Sequence, residues 1–139
     1  MLIGKHQHNI DAKGRVIIPS SFREDFGELC YITQGTDGCL FILSCDQWNK
    51  LKEKICAMPI SKARWLQRIF FSGAAEVEPN AQGRISIPEP LRQYAHLEKE
   101  VYIIGSGERA EIWDAATWDS KFKEQPEDPM LEAMSLLEL

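Results

Sequence analysis

The sequence predicts an α+β domain made of two related halves about an internal pseudo-two-fold axis. Three observations predict it. The stretch "DAKGRVIIPSSFR" at 11–23 returns as "NAQGRISIPEPLR" at 80–92, so Gly14, Arg15, Pro19 and Arg23 recur 69 positions later as Gly83, Arg84, Pro88 and Arg92. "GTDGCLFILSCDQW" (35–48) meets "GSGERAEIWDAATW" (105–118) at an offset of 70, which pairs Gly35 with Gly105, Ile42 with Ile112 and Trp48 with Trp118. Each half also mixes short β-branched runs with apolar stripes at helical spacing. Two copies are too few for a solenoid, and copies of about 45 residues point to one domain with internal symmetry.

The elements follow in order. A polar strand leads into each copy, Lys5 to Ile10 and then Glu76 to Pro79. A tight turn comes next, with Gly14 and Gly83 where positive φ is required. "RVIIP" and "RISIP" are short β-branched strands ended by Pro19 and Pro88. Short helices follow. Ser21 with Glu24 reads as a capping box, Gly27 as a stop, and Pro90 suits a first helical turn. Hairpins "CYITQG-TDG-CLFILS" and "EVYIIG-SGE-RAEIW" come after them. Ser44 caps a helix at 45–58 with a stripe of Trp48, Leu51, Ile55 and Met58, ended by Pro59. Ser61 caps a second helix, with Trp65, Ile69 and Phe70 inward and Lys62, Arg64 and Arg68 outward. Asp114 caps a helix carrying Trp118 and Phe122. "PEDP" (126–129) breaks the chain, and "MLEAMSLLEL" is a last amphipathic turn or two, or mobile chain. The tryptophan stripes read as core or subunit interface.

Composition sets the outer bounds. The 139 residues suffice for one compact domain or two small units sharing a core. With 44% hydrophobic and 27% charged residues, the chain is of ordinary globular type. No apolar run reaches the roughly 18 residues of a membrane span, and "MLIGKHQHNID" lacks the apolar stretch of a signal peptide, so a cytoplasmic protein is expected. Cys30, Cys39, Cys45 and Cys56 form no CxxC pair and read as buried reduced thiols. His6 and His8 share one face of a strand, without a third ligand at matching spacing, and read as polar residues on a wet face. No metal and no cofactor is expected.

The chain carries no nucleophile with a base, no P-loop, no GxGxxG and no HExxH, and no histidine recurs between copies, so an enzyme is not expected. A nucleic-acid module fits the repeated arginine better. The planar guanidinium can bond the O6 and N7 edge of guanine or clamp phosphate. Two copies about a two-fold axis present two such arginines to duplex DNA. Net charge of −5 opposes this, but it is unevenly spread. Residues 1–75 hold ten Lys/Arg against seven Asp/Glu, and residues 76–139 hold six against fourteen. Binding must then rest on a local patch and on several subunits acting together. The competing reading of Asp11 and Arg15 is a salt bridge that only holds the fold. Arg23 and Arg92 are weaker DNA candidates, placed to pair with Asp11, Asn80 or backbone.

With its start "MLIGKHQHNIDAKGRVIIPSSFRE", its echo "EPNAQGRISIPEPLRQYA" and "EIWDAATW" near the end, the chain resembles the bacterial MraZ family over nearly its whole length. The resemblance implies two SpoVT-AbrB units at 5–47 and 76–119, connecting helices at 48–75 and a C-terminal helical tail at 120–139. These are AbrB-like swapped-hairpin (double-split β-α-β) units, forming an intramolecular pseudo-two-fold barrel with added helices. It implies a ring-shaped homo-oligomer that regulates transcription at G-rich direct repeats upstream of its own operon, in the division and cell wall cluster. It therefore implies a cytoplasmic, nucleoid-associated protein with no membrane or small-molecule partner. Carried over by position, Arg15 and Arg84 contact DNA, with Lys13 beside the first; Asp11, Gly14, Asn80, Gly83, Arg23 and Arg92 support the motif. The second copy departs from the pattern at Asn80, where Asp is expected, and at Gln82 in place of Lys13. The two turns then need not be equivalent. The alternative is an AbrB-fold, antitoxin-like module that binds a protein through its acidic C-terminal portion.

Overall fold

The computed structural model describes residues 1–123 and 127–138. Eight strands and six helices occur among them: β1 (Lys5–Asn9), β2 (Arg15–Ile17), α1 (Ser20–Phe26), β3 (Cys30–Gln34), β4 (Leu40–Ser44), α2 (Cys45–Cys56), α3 (Ile60–Gly73), β5 (Ala75–Val77), β6 (Arg84–Ser86), α4 (Glu89–Tyr94), β7 (Glu100–Gly105), β8 (Ala110–Asp114), α5 (Ala115–Lys123) and α6 (Glu127–Ser135). The architecture is α+β. An antiparallel six-stranded sheet runs β1-β7-β8-β4-β3-β5, and a separate antiparallel ribbon pairs β2 with β6.

The strand order exchanges parts between the copies. β1 of the first copy pairs with β7 of the second, while β5 of the second pairs with β3 of the first. At the middle of the sheet Leu40 faces Ile112 and Ile42 faces Ala110. At the ribbon Arg15 faces Ser86 and Ile17 faces Arg84. Both registers map onto themselves when the copies are interchanged, so Phe41–Glu111 and Val16–Ile85 lie on the pseudo-two-fold axis.

One face of the ribbon closes the core. Val16, Ile18, Ile85 and Ile87 are buried with Phe22, Ile32, Ile42, Ile103 and Ile112. Alternation along a strand therefore turns Arg15, Ile17, Arg84 and Ser86 to the opposite, outer face. On the other side of the six-stranded sheet a smaller cluster joins Cys39, Ile104 and Trp113 with Phe41, Tyr102 and Trp118.

The caps at Ser44 and Asp114 form as the sequence predicts: Gln47 N–H donates to the Ser44 hydroxyl, and Thr117 N–H donates to Asp114 Oδ2. Those assigned to Ser21 and Ser61 do not. Pro19 and Pro59 occupy the N-cap positions, with extended ψ of 137° and 139° and no side-chain acceptor. Their carbonyls accept the first helical bonds from Phe22 and Lys62, so Ser21 and Ser61 fall inside the first turn. Gly27 ends α1 at φ 68°, and Pro90 sits in the first turn of α4.

Three further expectations are corrected. The inward stripe of α3 runs through Ala63, Leu66 and Phe70; Trp65 and Ile69 lie outside it, 61% and 38% exposed. His6 and His8 occupy the half-buried face of β1, where the His6 ring meets Phe22 edge-on at 5.2 Å, and Lys5, Gln7 and Asn9 face solvent. Burial, and then the neighbouring His6, hold the His8 imidazole below its ordinary pKa. The four cysteines are free, but only Cys30 and Cys39 are fully buried, which pushes both thiols up to about 12. Cys56 is exposed at the end of α2. Among the described residues no helix is long and apolar enough to cross a membrane, and no group of three or more His, Cys, Asp or Glu could hold a metal ion. Of the predicted "PEDP" break, Pro126 lies outside the described residues, while Glu127, Asp128 and Pro129 form the first turn of α6 instead of a break.

Candidate nucleic-acid interface

The two glycine-arginine turns share one backbone plan. In the first, Asp11 N–H donates to Arg15 O at 2.9 Å and Gly14 N–H to Asp11 O at 2.9 Å; in the second, Asn80 N–H donates to Arg84 O at 2.9 Å and Gly83 N–H to Asn80 O at 2.8 Å. Gly14 and Gly83 take φ of 79° and 81°, a region an L side chain enters only under strain. The residue opening each turn also braces it from within. Asp11 Oδ1 accepts from the N–H of Lys13 and Arg15 at 2.9 and 2.8 Å, and Asn80 Oδ1 accepts from Gln82 and Arg84 at 3.0 and 2.9 Å.

The glycines are required for a second reason. Arg23 Nε donates to Ile18 O at 3.0 Å and its Nη2 to Gln82 O at 3.1 Å, which lays the guanidinium across Gly83. Arg92 Nε donates to Ile87 O at 2.9 Å, with its guanidinium across Gly14. A Cβ at Gly14 would stand 2.6 Å from Arg92 Nε, and one at Gly83 would collide with Arg23 Cζ. The arginine of each copy thus clamps the turn of the other. Of the partners foreseen for Arg23 and Arg92, the structure supplies backbone carbonyls.

Arg15 and Arg84 differ from those two. They project from the outer face of the ribbon as diagonal neighbours, a relation that puts Cα atoms about 7–8 Å apart. Lys13 is exposed at the tip of the first turn. Arg15 is held: its Nε donates to Asp11 Oδ2 at 2.8 Å, with both side chains a little over one-third exposed. The Arg15 backbone N–H most of all, helped by the Arg15 side chain and the Lys13 N–H, holds the Asp11 carboxyl below its ordinary pKa against an opposing effect of desolvation that is second only to that N–H. Arg84 is exposed, and among the described residues its guanidinium has no ion-pair partner. Asn80 instead turns its amide Nδ2 to Gln82 Oε1 at 3.4 Å. Chemically, the face offers one braced guanidinium, one free guanidinium and a lysine.

One feature of this face was not foreseen in the sequence. A shallow depression beside the ribbon is lined by Arg15, Asn80, Arg84 and Ser86 and also by Glu76 and Glu78 of the β5 segment. Glu76 accepts a hydrogen bond from Tyr31 Oη at 3.0 Å. The signal was present, since both carboxylates immediately precede the second turn. Two acidic groups therefore flank Arg84, the outward arginine of the second copy, whereas Gln7 and Asn9 occupy β1 ahead of the first turn.

Comparison with known proteins bears on this face. The chain matches the family described as "MraZ protein, putative antitoxin-like" over residues 1–67 and 70–135. The two matched segments begin 69 positions apart, the offset at which the turn recurs. The transcriptional regulator MraZ of Acetivibrio thermocellus is 52% identical over 122 residues, which cover 86% of this chain and 85% of the relative. The solution structure of PHS018 from Pyrococcus horikoshii matches over 81% of this chain and 88% of its own at 17% identity, with a TM-score of 0.33.

Proposed function

This chain belongs to the MraZ family, and we propose from that membership that it regulates transcription by binding duplex DNA through the outer face of the β2–β6 ribbon. The observation that carries the reading is the placement of Arg15 and Arg84 on one exposed face, on turns each clamped by an arginine of the other copy. A two-stranded ribbon is narrow enough to enter the major groove. Arg15, fixed by Asp11, presents its remaining donors in a set direction, as base reading requires; Lys13 and the freer Arg84 suit phosphate. Gly14, Gly83, Arg23, Arg92 and Asn80 keep the turns in shape.

The finer parts of the proposal come from the family resemblance. The target is G-rich direct repeats upstream of the chain's own operon in the division and cell wall cluster. The two copies, 5–47 and 76–119, act as AbrB-like swapped-hairpin units of one pseudo-two-fold barrel, joined by helices at 48–75 and followed by a tail at 120–139. The exchange of β1 and β5 between copies supports that assignment. Several chains assemble, in a ring, on the nucleoid in the cytoplasm; an array of turns would supply the avidity that a chain of net charge −5 lacks. We assign no catalytic role, cofactor or small-molecule substrate. One observation favours a second reading, a protein-binding antitoxin-like module: the "antitoxin-like" wording of the matched family.

The test is titration of Arg15→Ala against target and scrambled duplexes. Each bidentate base contact is worth roughly 1–3 kcal/mol, so the variant should lose sequence preference while its unfolding midpoint stays near that of the parent. A variant that melts early, yet binds normally where folded, would assign Arg15 to the fold alone. Absence of duplex binding by the parent protein would leave the protein-binding module as the function.

A further inference from the structure

The net charge of −5 has a definite location. Residues 1–123 hold all sixteen Lys/Arg and sixteen of the twenty-one Asp/Glu, so they balance. The excess of five carboxylates lies wholly in residues 124–139, which contain no Lys or Arg. Within that segment α6 is an amphipathic helix with every described side chain exposed, including Met130, Leu131 and Met134 at 45%, 64% and 41%. Glu127, Asp128 and Glu132 flank this apolar stripe.

α3 has the complementary character. It carries Lys62, Arg64 and Arg68 and no Asp or Glu. Its outward face exposes Trp65 and Ile69, and the Arg68 guanidinium lies 4.6 Å over the Trp65 ring. Among the described residues none of these three cations has an ion-pair partner. Arg64 and Arg68 stand four residues apart beside Trp65 and Ile69; Asp128 and Glu132 stand four residues apart beside Leu131. Both spacings put the charges one helical turn apart, about 6 Å along each axis.

We propose that α6 of one chain packs along the outward face of α3 of a second copy, with Met130, Leu131 and Met134 against Trp65 and Ile69 and with Asp128 and Glu132 paired to Arg64 and Arg68. A second copy is the occupant the structure favours, because every described side chain of α6 is exposed and the helix is not packed on α3 of its own chain. α5 ends near the β1 edge, where Phe122 and Lys123 line a hollow with Lys5. α3 packs on β3, four strands away, or about 19 Å at the usual strand spacing. The four Cα steps from Lys123 to Glu127 extend to about 14 Å at most, so α6 starts short of β3. The pairing also sets two of the five tail carboxylates against a neighbour's cations, which offsets them locally while each chain keeps its net charge of −5. The inference rests on the assembly named above and goes beyond it in naming the helix pair.

Disulfide trapping between two populations of full-length chain tests the pairing, in a Cys56→Ser background that removes the exposed native thiol. One population carries Ser135→Cys on α6. The other carries an affinity tag and either Ser61→Cys or Ser72→Cys, which lie near opposite ends of α3 on the Trp65 face. A cross-link between populations at one of the two α3 sites is expected, and which site reacts gives the direction of the helices. Arg64→Glu with Arg68→Glu should cut the yield about tenfold or more, and Asp128→Lys with Glu132→Lys in the other population should restore it. No cross-link between populations, a cross-link only within a chain carrying both cysteines, or a yield indifferent to charge reversal overturns the pairing. Sedimentation of the same samples separates the two levels: assembled chains without the cross-link refute the pairing alone, and a monomer refutes the assembly as well.

Discussion

The turns at Asp11–Arg15 and Asn80–Arg84 are the same object in backbone and different objects in charge. Two corresponding backbone–backbone bonds and two from backbone N–H to the opening side chain agree within 0.1 Å, both glycines sit near φ 80°, and each turn lies under the arginine of the other copy. The difference is one atom pair. Asp11 spends one oxygen on the turn and the other on Arg15 Nε; Asn80 spends its oxygen on the turn and has an amide where the second oxygen would be. The architecture of the turn therefore asks only for an acceptor at its first residue. Holding the outward arginine asks for a carboxylate. Shape and function separate at one side chain.

The shared part should be the more costly to disturb. Gly83→Ala forces an L residue to positive φ and pushes Arg23 off the carbonyls of Ile18 and Gln82, a loss of about 2–4 kcal/mol in urea unfolding. Gly14→Ala meets Arg92, which has one such bond, and should cost less. In an Arg23→Ala background Gly83→Ala should cost only the backbone strain, about 1–2 kcal/mol. Equal losses in both backgrounds would show that the clamp does not constrain the glycine.

Next in size is the contrast between the outward arginines. Arg84→Ala should weaken binding to target and scrambled duplexes alike and reduce the salt dependence by about 0.9 in log–log slope for each phosphate no longer neutralised. Arg15→Ala should chiefly lower the ratio of specific to nonspecific affinity. Equal loss of selectivity from the two variants would make the turns equivalent, and the carboxylate at Asp11 irrelevant to recognition.

Most of the local structure was legible because it depends on neighbours in sequence. The repeat, the positive-φ glycines, both hairpins and the caps at Ser44 and Asp114 all followed from short-range rules. The misassigned caps at Ser21 and Ser61 share one cause. A proline with extended ψ, whether it follows a strand as Pro19 does or a helix as Pro59 does, already has the φ and ψ of an N-cap, so it takes that place and displaces the serine behind it. Long-range facts were less legible. Trp65 and Ile69 have the spacing of a buried stripe, but burial is decided by whether β3 sees that face or the Ala63–Leu66–Phe70 face. The exchange of β1 and β5, and hence the arrival of Arg23 over Gly83, depends on which strand pairs with which, and no local pattern encodes that. At the candidate interface, Arg15, Arg84 and Lys13 were legible as exposed cations of a repeated turn. Glu76 and Glu78 carried a signal as carboxylates just ahead of the second turn, but their place beside the ribbon follows from the pairing of β5 with β3.

The smallest expected effect isolates the carboxylate itself. Asp11 is held below the ordinary carboxylate range by the Arg15 N–H first, then by the Arg15 side chain and the Lys13 N–H. A depressed pKa in the folded state means that this contribution to stability is full above the unfolded-state pKa and is lost as pH falls through the folded one. The stability difference between the parent and Asp11→Asn should therefore be constant from neutral pH down to the ordinary carboxylate range and vanish below it. Asn80→Asp supplies the missing oxygen beside Arg84 without altering the acceptor that braces the turn. The variant should gain a stability contribution that disappears over the same acidic window, and Arg84 should become restrained like Arg15. Glu76 and Glu78 line the same depression and oppose the change, because a third carboxylate there is repelled by the first two. The gain should thus be smaller than the loss from Asp11→Asn. On DNA it should appear as a modest rise in selectivity with weaker nonspecific binding, since Arg84 is less free for phosphate. Urea midpoints across the acid range, with duplex titrations at neutral pH, measure both. Acid profiles of Asn80→Asp and the parent that superimpose would show that the second turn cannot hold its arginine even with a carboxylate present, and the difference between the turns would then lie in their surroundings.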